Sequence, residues 1–220
     1  MSMMRASKIW VWVMAVALAL VAVAACDRPE TSTDYFDRGV ARLKEGKYKG
    51  AIADFDQVIN IRPKYTDAYT NRASAKSGLG QYEEAIADLD QAIRLQPDHA
   101  DAYYSRGSFK LYLGQYQDAI ADFDQAIRLQ PDYVEAYNNR AVVRANLEQY
   151  QDAIADFDQV ILLQPDNAYA YRNRGFAKVI LGQNQGAIAD LKVALALAQS
   201  TGRKDLAAET EELIQIVEQE

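Results

Sequence analysis

The sequence predicts an all-α solenoid of paired helices, and three observations carry that prediction. The tetrapeptide Ala-Ile-Ala-Asp recurs at 51–54, 85–88, 119–122, 153–156 and 187–190, a fixed period of 34 residues. The nine residues Asp-Gln-Ala-Ile-Arg-Leu-Gln-Pro-Asp occur identically at 90–98 and 124–132. A period of this size marks a helical repeat whose units stack and bury a continuous core. Within each unit apolar residues fall at helical spacing, as Ala119, Ile120, Phe123, Ala126 and Ile127 do. Helix-breaking residues then punctuate every unit at the same two places.

The elements follow in chain order. Residues 1–25 carry Arg5, Lys8 and no acid, with an uninterrupted apolar run of 17 residues from Ile9 to Ala25. A basic start, an apolar stretch and small residues make an export signal, and the run lies at the lower limit of the ~20 residues that span a bilayer. All 4 methionines and both tryptophans precede residue 26, and all 14 tyrosines follow it, as expected of a leader joined to a mature domain. The chain's single cysteine, Cys26, follows directly on Val23-Ala24-Ala25. These four residues resemble the lipobox of bacterial lipoproteins. The resemblance implies a lipidated Cys26 that becomes the new N-terminus and tethers the chain to a membrane. By the sorting rule of enterobacterial lipoproteins, Asp27 favours the inner membrane, periplasmic side. An uncleaved signal anchor, or a plain secretory signal with an incidental cysteine, is the alternative. Residues 26–31 form the lipidated cysteine and a short linker.

Five repeats follow, at 32–65, 66–99, 100–133, 134–167 and 168–201. Glycine marks the turn inside each hairpin at Gly46, Gly80, Gly114 and Gly182, with Glu148 the exception. Proline closes four units at Pro63, Pro97, Pro131 and Pro165, where a helix cannot continue. Asp98, Asp132 and Asp166 come next and suit N-caps for the following helices. Residues 202–220 read as a capping helix, with Leu206, Leu213, Ile216 and Val217 facing inward and glutamates facing out.

The units resemble the tetratricopeptide repeat over about four-fifths of the chain. The signature aromatic is Tyr35, Tyr69, Tyr103, Tyr137 and Tyr171, in place of the family's usual tryptophan. The small residue after it is Gly39, Ala73, Gly107, Ala141 and Gly175. The turn tyrosine is Tyr48, Tyr82, Tyr116 and Tyr150, and the second-helix alanine runs from Ala51 to Ala187. The resemblance implies a right-handed superhelical solenoid whose first helices line a concave groove for peptides or partner helices. Carried over residue by residue, the groove includes Phe36 and Val40 in the first repeat, and Tyr104, Ser108, Leu111 and Tyr112 in the third. It continues through Asn138 and Val142 in the fourth to Arg172 and Phe176 in the fifth. Phe36, Val40, Tyr104 and Ser108 stand where the carboxylate clamp of chaperone-binding members needs lysine and asparagine, so that mechanism is disfavoured. One departure recurs: arginine replaces the first-helix leucine at Arg38, Arg72, Arg106, Arg140 and Arg174. Such an arginine on a packing stripe needs a carboxylate, and the sequence leaves open which aspartate supplies it.

The chemistry points away from catalysis. A lone histidine, His99, and a cysteine expected to carry lipid leave no Cys–His pair, nucleophile–base arrangement or histidine metal cluster. Carboxylates two apart, such as Asp122 and Asp124, lie about 200° apart on a helix and cannot share a substrate proton. No cofactor or metal is expected. Without the leader the net charge moves from −7 to −9, and an acidic surface is unsuited to phosphate backbones, so nucleic acid is not an expected partner. The expectation is a membrane-anchored interaction scaffold in the bacterial cell envelope, binding another protein or peptide segment in its groove. Analogy with exported bacterial members suggests envelope assembly or cell-wall turnover. The alternatives are a self-assembling module without a client and, against the chemistry above, an enzyme using acidic residues. The oligomeric state is open.

Overall fold

The structure, a computed structural model, describes residues 30–219; the leader, Cys26 and Asp27 lie outside the described residues. Eleven α-helices and no strand make up the described chain. Five hairpins pair α1 (Ser32–Lys44) with α2 (Tyr48–Ile61), α3 (Thr66–Ser77) with α4 (Tyr82–Leu95), and α5 (Ala100–Tyr112) with α6 (Tyr116–Leu129). They continue through α7 (Val134–Asn146) with α8 (Tyr150–Leu163), and α9 (Ala168–Ile180) with α10 (Asn184–Ser200). A terminal helix, α11 (Lys204–Gln219), packs on α10. Each helix packs on its neighbours in sequence, giving the superhelical repeat fold that the 34-residue period predicts.

The hairpin turns follow from the residue that ends each first helix. Gly46, Gly80, Gly114 and Gly182 have φ between 69° and 74°, a left-handed conformation that closes the helix. The residue after each turn donates its N–H back to the first helix, as Gln115 does to the Lys110 carbonyl at 2.9 Å. Glu148 adopts the same conformation, φ 60°, without glycine's freedom. The connections between hairpins differ from expectation. Asp98, Asp132 and Asp166 sit one residue too early to cap, and the N-cap positions are His99, Tyr133 and Asn167. Of these three only Asn167 caps with its side chain, accepting from the Ala170 N–H at 3.1 Å.

The core is built by the second helices. Phe55, Leu89, Phe123, Phe157 and Leu191 are fully buried at one position of the five repeats, flanked by buried alanines. First helices meet them through small residues: a Cβ on Gly107 would lie 2.9 Å from the Phe123 ring. Helix α11 covers the last hairpin with Leu206, Thr210, Ile214 and Val217, spaced along one stripe. Ile216, expected inward, is half exposed because it lies off that stripe.

Candidate functional site

The recurring arginine fixes each first helix in register. Arg106 on α5 donates to both carboxylate oxygens of Asp122 on its own α6, at 2.9 and 2.6 Å. Its remaining nitrogen reaches back to Asp90 on the preceding α4 at 2.6 Å. Arg72, Arg140 and Arg174 repeat this three-helix clamp with Asp88 and Asp56, Asp156 and Asp124, and Asp190 and Asp158. A second cation, Lys110 in this repeat, closes at 2.8 Å on the Asp122 oxygen that accepts from Arg106 Nε. The open question of which aspartate pairs is thus answered: the first of each two serves its own hairpin and the second serves the next. Lys192 stands where the earlier repeats have the second aspartate, and it pairs with Glu218 of α11 at 3.1 Å.

Two departures from the family pattern are one device. The arginines of the five repeats lie over the signature tyrosine three residues earlier, at 5.1 to 5.6 Å from the ring centroid. Burial works against the Arg106 charge, but Asp122 and Asp90 outweigh it and raise the guanidinium pKa above its ordinary value. The aspartates are therefore committed to architecture. Among the described residues no group of His, Cys, Asp or Glu could hold a metal ion.

With the framework held this way, the first helices expose a face that changes from repeat to repeat. Phe36 is half-buried against Phe55 and Tyr65, with Val40 beside it. Tyr104, Leu111 and Val142 are also partly buried. Tyr104 rests on Phe123 and Tyr133, and its hydroxyl accepts from Asn139 Nδ2 at 3.2 Å. Ser108 donates to the Tyr104 carbonyl at 2.9 Å. Tyr112, by contrast, is 71% exposed and stacks on Tyr82. Phe176 and Ile180 remain 48% and 45% exposed, so α11 does not cover them.

Several of these residues converge on two depressions. Val142, Ala145, Asn146, Phe157, Arg172, Asn173, Phe176 and Ala177 line a largely apolar one of about 360 Å³ between α7 and α9. Arg172 is held there by Glu209 of α11 at 2.9 Å, while its Nε is buried with no hydrogen-bond acceptor. A polar depression of similar size brings Tyr104, Asn138, Asn139, Tyr169 and Asn173 together. Asn71, Ser105, Asn139 and Asn173 were not singled out in the sequence, yet they recur at the 34-residue period and line the depressions of this face. Reading that one column of the repeats would have found them. Asp67, Asp101 and Glu135 form a second, exposed acidic row at the start of α3, α5 and α7. Tyr169 ends that row, and Arg203 lies over its ring at 5.2 Å.

Comparison with known proteins places this geometry. A family model described as TPR repeat matches residues 39–80, 78–109 and 110–148, and one described as tetratricopeptide repeat matches 148–215. The crystal structure of MamA protein is similar at 26% identity, over 80% of this chain and 96% of that one, with a TM-score of 0.73. YrrB, a TPR protein with an unusual peptide-binding site, shares the fold at 20% identity, over 87% of this chain and 97% of that one, TM-score 0.71. The first TPR of Spaghetti (RPAP3), solved bound to the HSP90 peptide SRMEEVD, is 28% identical over 53% of this chain and 92% of that one, TM-score 0.52. No curated protein matches the chain significantly.

Proposed function

The chain belongs to the tetratricopeptide repeat family, and from that membership we propose that it is a membrane-anchored scaffold that holds a segment of another protein along its first-helix face. One observation carries the reading. The arginine–aspartate clamp is the same in repeats two to five, while the first-helix face changes from Ser74 and Ser77 to Tyr112 to Phe176 and Ile180. Large apolar side chains left half exposed beside a pocket favour a partner that covers them. The RPAP3 neighbour was solved with a short peptide bound, which supports a peptide segment as the kind of partner this fold takes. Clefts lined by rigid helices suit an extended or helical segment.

The anchor rests on the leader and the Val23-Ala24-Ala25-Cys26 motif, with Asp27 favouring the periplasmic side of an inner membrane. A scaffold held there serves envelope assembly or cell-wall turnover and uses no catalytic residue, cofactor or metal. Affinity capture from host envelope extracts tests the binding role, comparing the unaltered chain with a Tyr112→Ala, Phe176→Ala variant. Both side chains are exposed, so the variant keeps its fold. A partner bound by the unaltered chain and lost from the variant is the expected result. A partner retained equally by both would move the site off this face, and recovery of the chain alone would favour self-assembly. Cys26→Ser is expected to release the chain from sedimented membranes, and its retention there would contradict the lipid anchor.

A further inference from the structure

We infer, resting on the groove reading above, that the pocket between α7 and α9 sets the specificity of the face: it takes a bulky apolar side chain of the partner segment, and Arg172 binds an acidic residue beside it. Phe157 lies at the base of this pocket, buried in the core, and Val142 and Phe176 form opposite walls. A cavity of about 360 Å³ with an apolar lining matches a large hydrophobic side chain better than a polar one. Arg172 adds the polar requirement. Glu209 occupies one terminal nitrogen of its guanidinium, and the Nε–H remains buried without an acceptor. The Arg172 side chain lines the pocket and is 29% exposed, so the guanidinium, which Glu209 satisfies only in part, can be reached by a partner's carboxylate oxygen from the groove.

The charges select that oxygen. At this end of the face stand two cations: Arg172, paired with Glu209 and three residues from Tyr169 on α9, and Arg203, which lies over the Tyr169 ring. Further along the same face the exposed groups at the row position are anionic: Asp67, Asp101 and Glu135. Asp101 also accepts from the Tyr133 hydroxyl at 2.8 Å, which holds its carboxylate in place. Along α3 to α9 an acidic residue therefore fits at α9, and basic residues fit over α3 to α7. The segment recognised is polar in its charge, with an apolar–acidic end and a basic end. Reversing it would set like charges against each other at both ends, so the charge pattern also fixes its direction.

Selection from a displayed library of short random peptides, on the immobilised full-length chain, tests this. The enriched sequences are expected to carry Phe, Trp, Leu or Met next to Asp or Glu, with Lys or Arg on one side only. An enriched peptide should bind at least about 10-fold more weakly to Phe176→Ala and to Arg172→Gln. Val142→Phe, which fills the pocket from its other wall, should weaken it equally, and unchanged thermal melting of the variants would exclude unfolding as the cause. Enriched peptides that bind all three variants with unaltered affinity, or that lack the apolar–acidic pair, would overturn the pocket's role and leave the face intact as a binding surface. A library from which nothing is enriched would overturn both.

Discussion

Repeats three and five share one framework and expose different side chains at matching positions. In both, a first-helix arginine grips an aspartate of its own second helix and one of the preceding repeat: Arg106 with Asp122 and Asp90, Arg174 with Asp190 and Asp158. In both, a lysine joins the arginine on the same carboxylate and a glycine lets the helices meet at less than a side chain's width. Their outer faces diverge. Repeat three presents Asp101, Tyr104 and Ser108 where repeat five presents Tyr169, Arg172 and Phe176. The difference separates what the 34-residue period must preserve to stack from what it can vary to recognise a partner.

The comparison breaks most readily at the clamp. Asp122→Ala and Asp190→Ala each leave two cations facing each other without their shared carboxylate. Each is expected to cost about 3–5 kcal/mol, read from the shift in urea unfolding followed by circular dichroism. A far smaller cost in repeat five would show that the two frameworks are not equivalent. Gly107→Val drives a side chain into the Phe123 ring and is expected to cost about 1–3 kcal/mol. Glu148→Gly should act in the opposite direction, adding about 1 kcal/mol by relieving a left-handed backbone at a non-glycine residue. Asp124→Ala removes the exposed half of the Arg140 clamp and should cost less than about 1 kcal/mol. Smallest is Phe176→Ala, expected within about 0.5 kcal/mol of the unaltered chain in stability because the ring is half exposed.

The fold was legible because the period repeats the same physical requirement five times. Gly46 to Gly182 marked turns correctly, and even the exception, Glu148, takes the turn conformation that its place dictates. Less legible was anything that depends on how one hairpin sits against the next. Asp122 and Asp124 look alike in sequence, and only stacking decides that one faces Arg106 and the other Arg140. Tyr104 occupies a groove position but leans on Tyr133, a contact set by the rotation between repeats three and four. Asp98 resembled a cap because it follows proline, yet the helix begins one residue later than that rule assumes. In α11, outside the repeats, no period corrected the phase, so Ile216 was placed inward while Thr210 and Ile214 do the packing. The Asn71, Ser105, Asn139 and Asn173 column was present in the sequence, but polar residues on a helix carry no apolar stripe to draw the eye.

Site-specific photo-crosslinking in the host most directly tests whether the first-helix face carries the partner. A photoreactive residue would replace Ser74 or Phe176 on that face, or Gln159 on the exposed side of α8. A protein adduct of one defined mass from Ser74 and Phe176, and none from Gln159, is the predicted result. Adducts from Gln159 alone would place recognition on the second helices and contradict the division between framework and face.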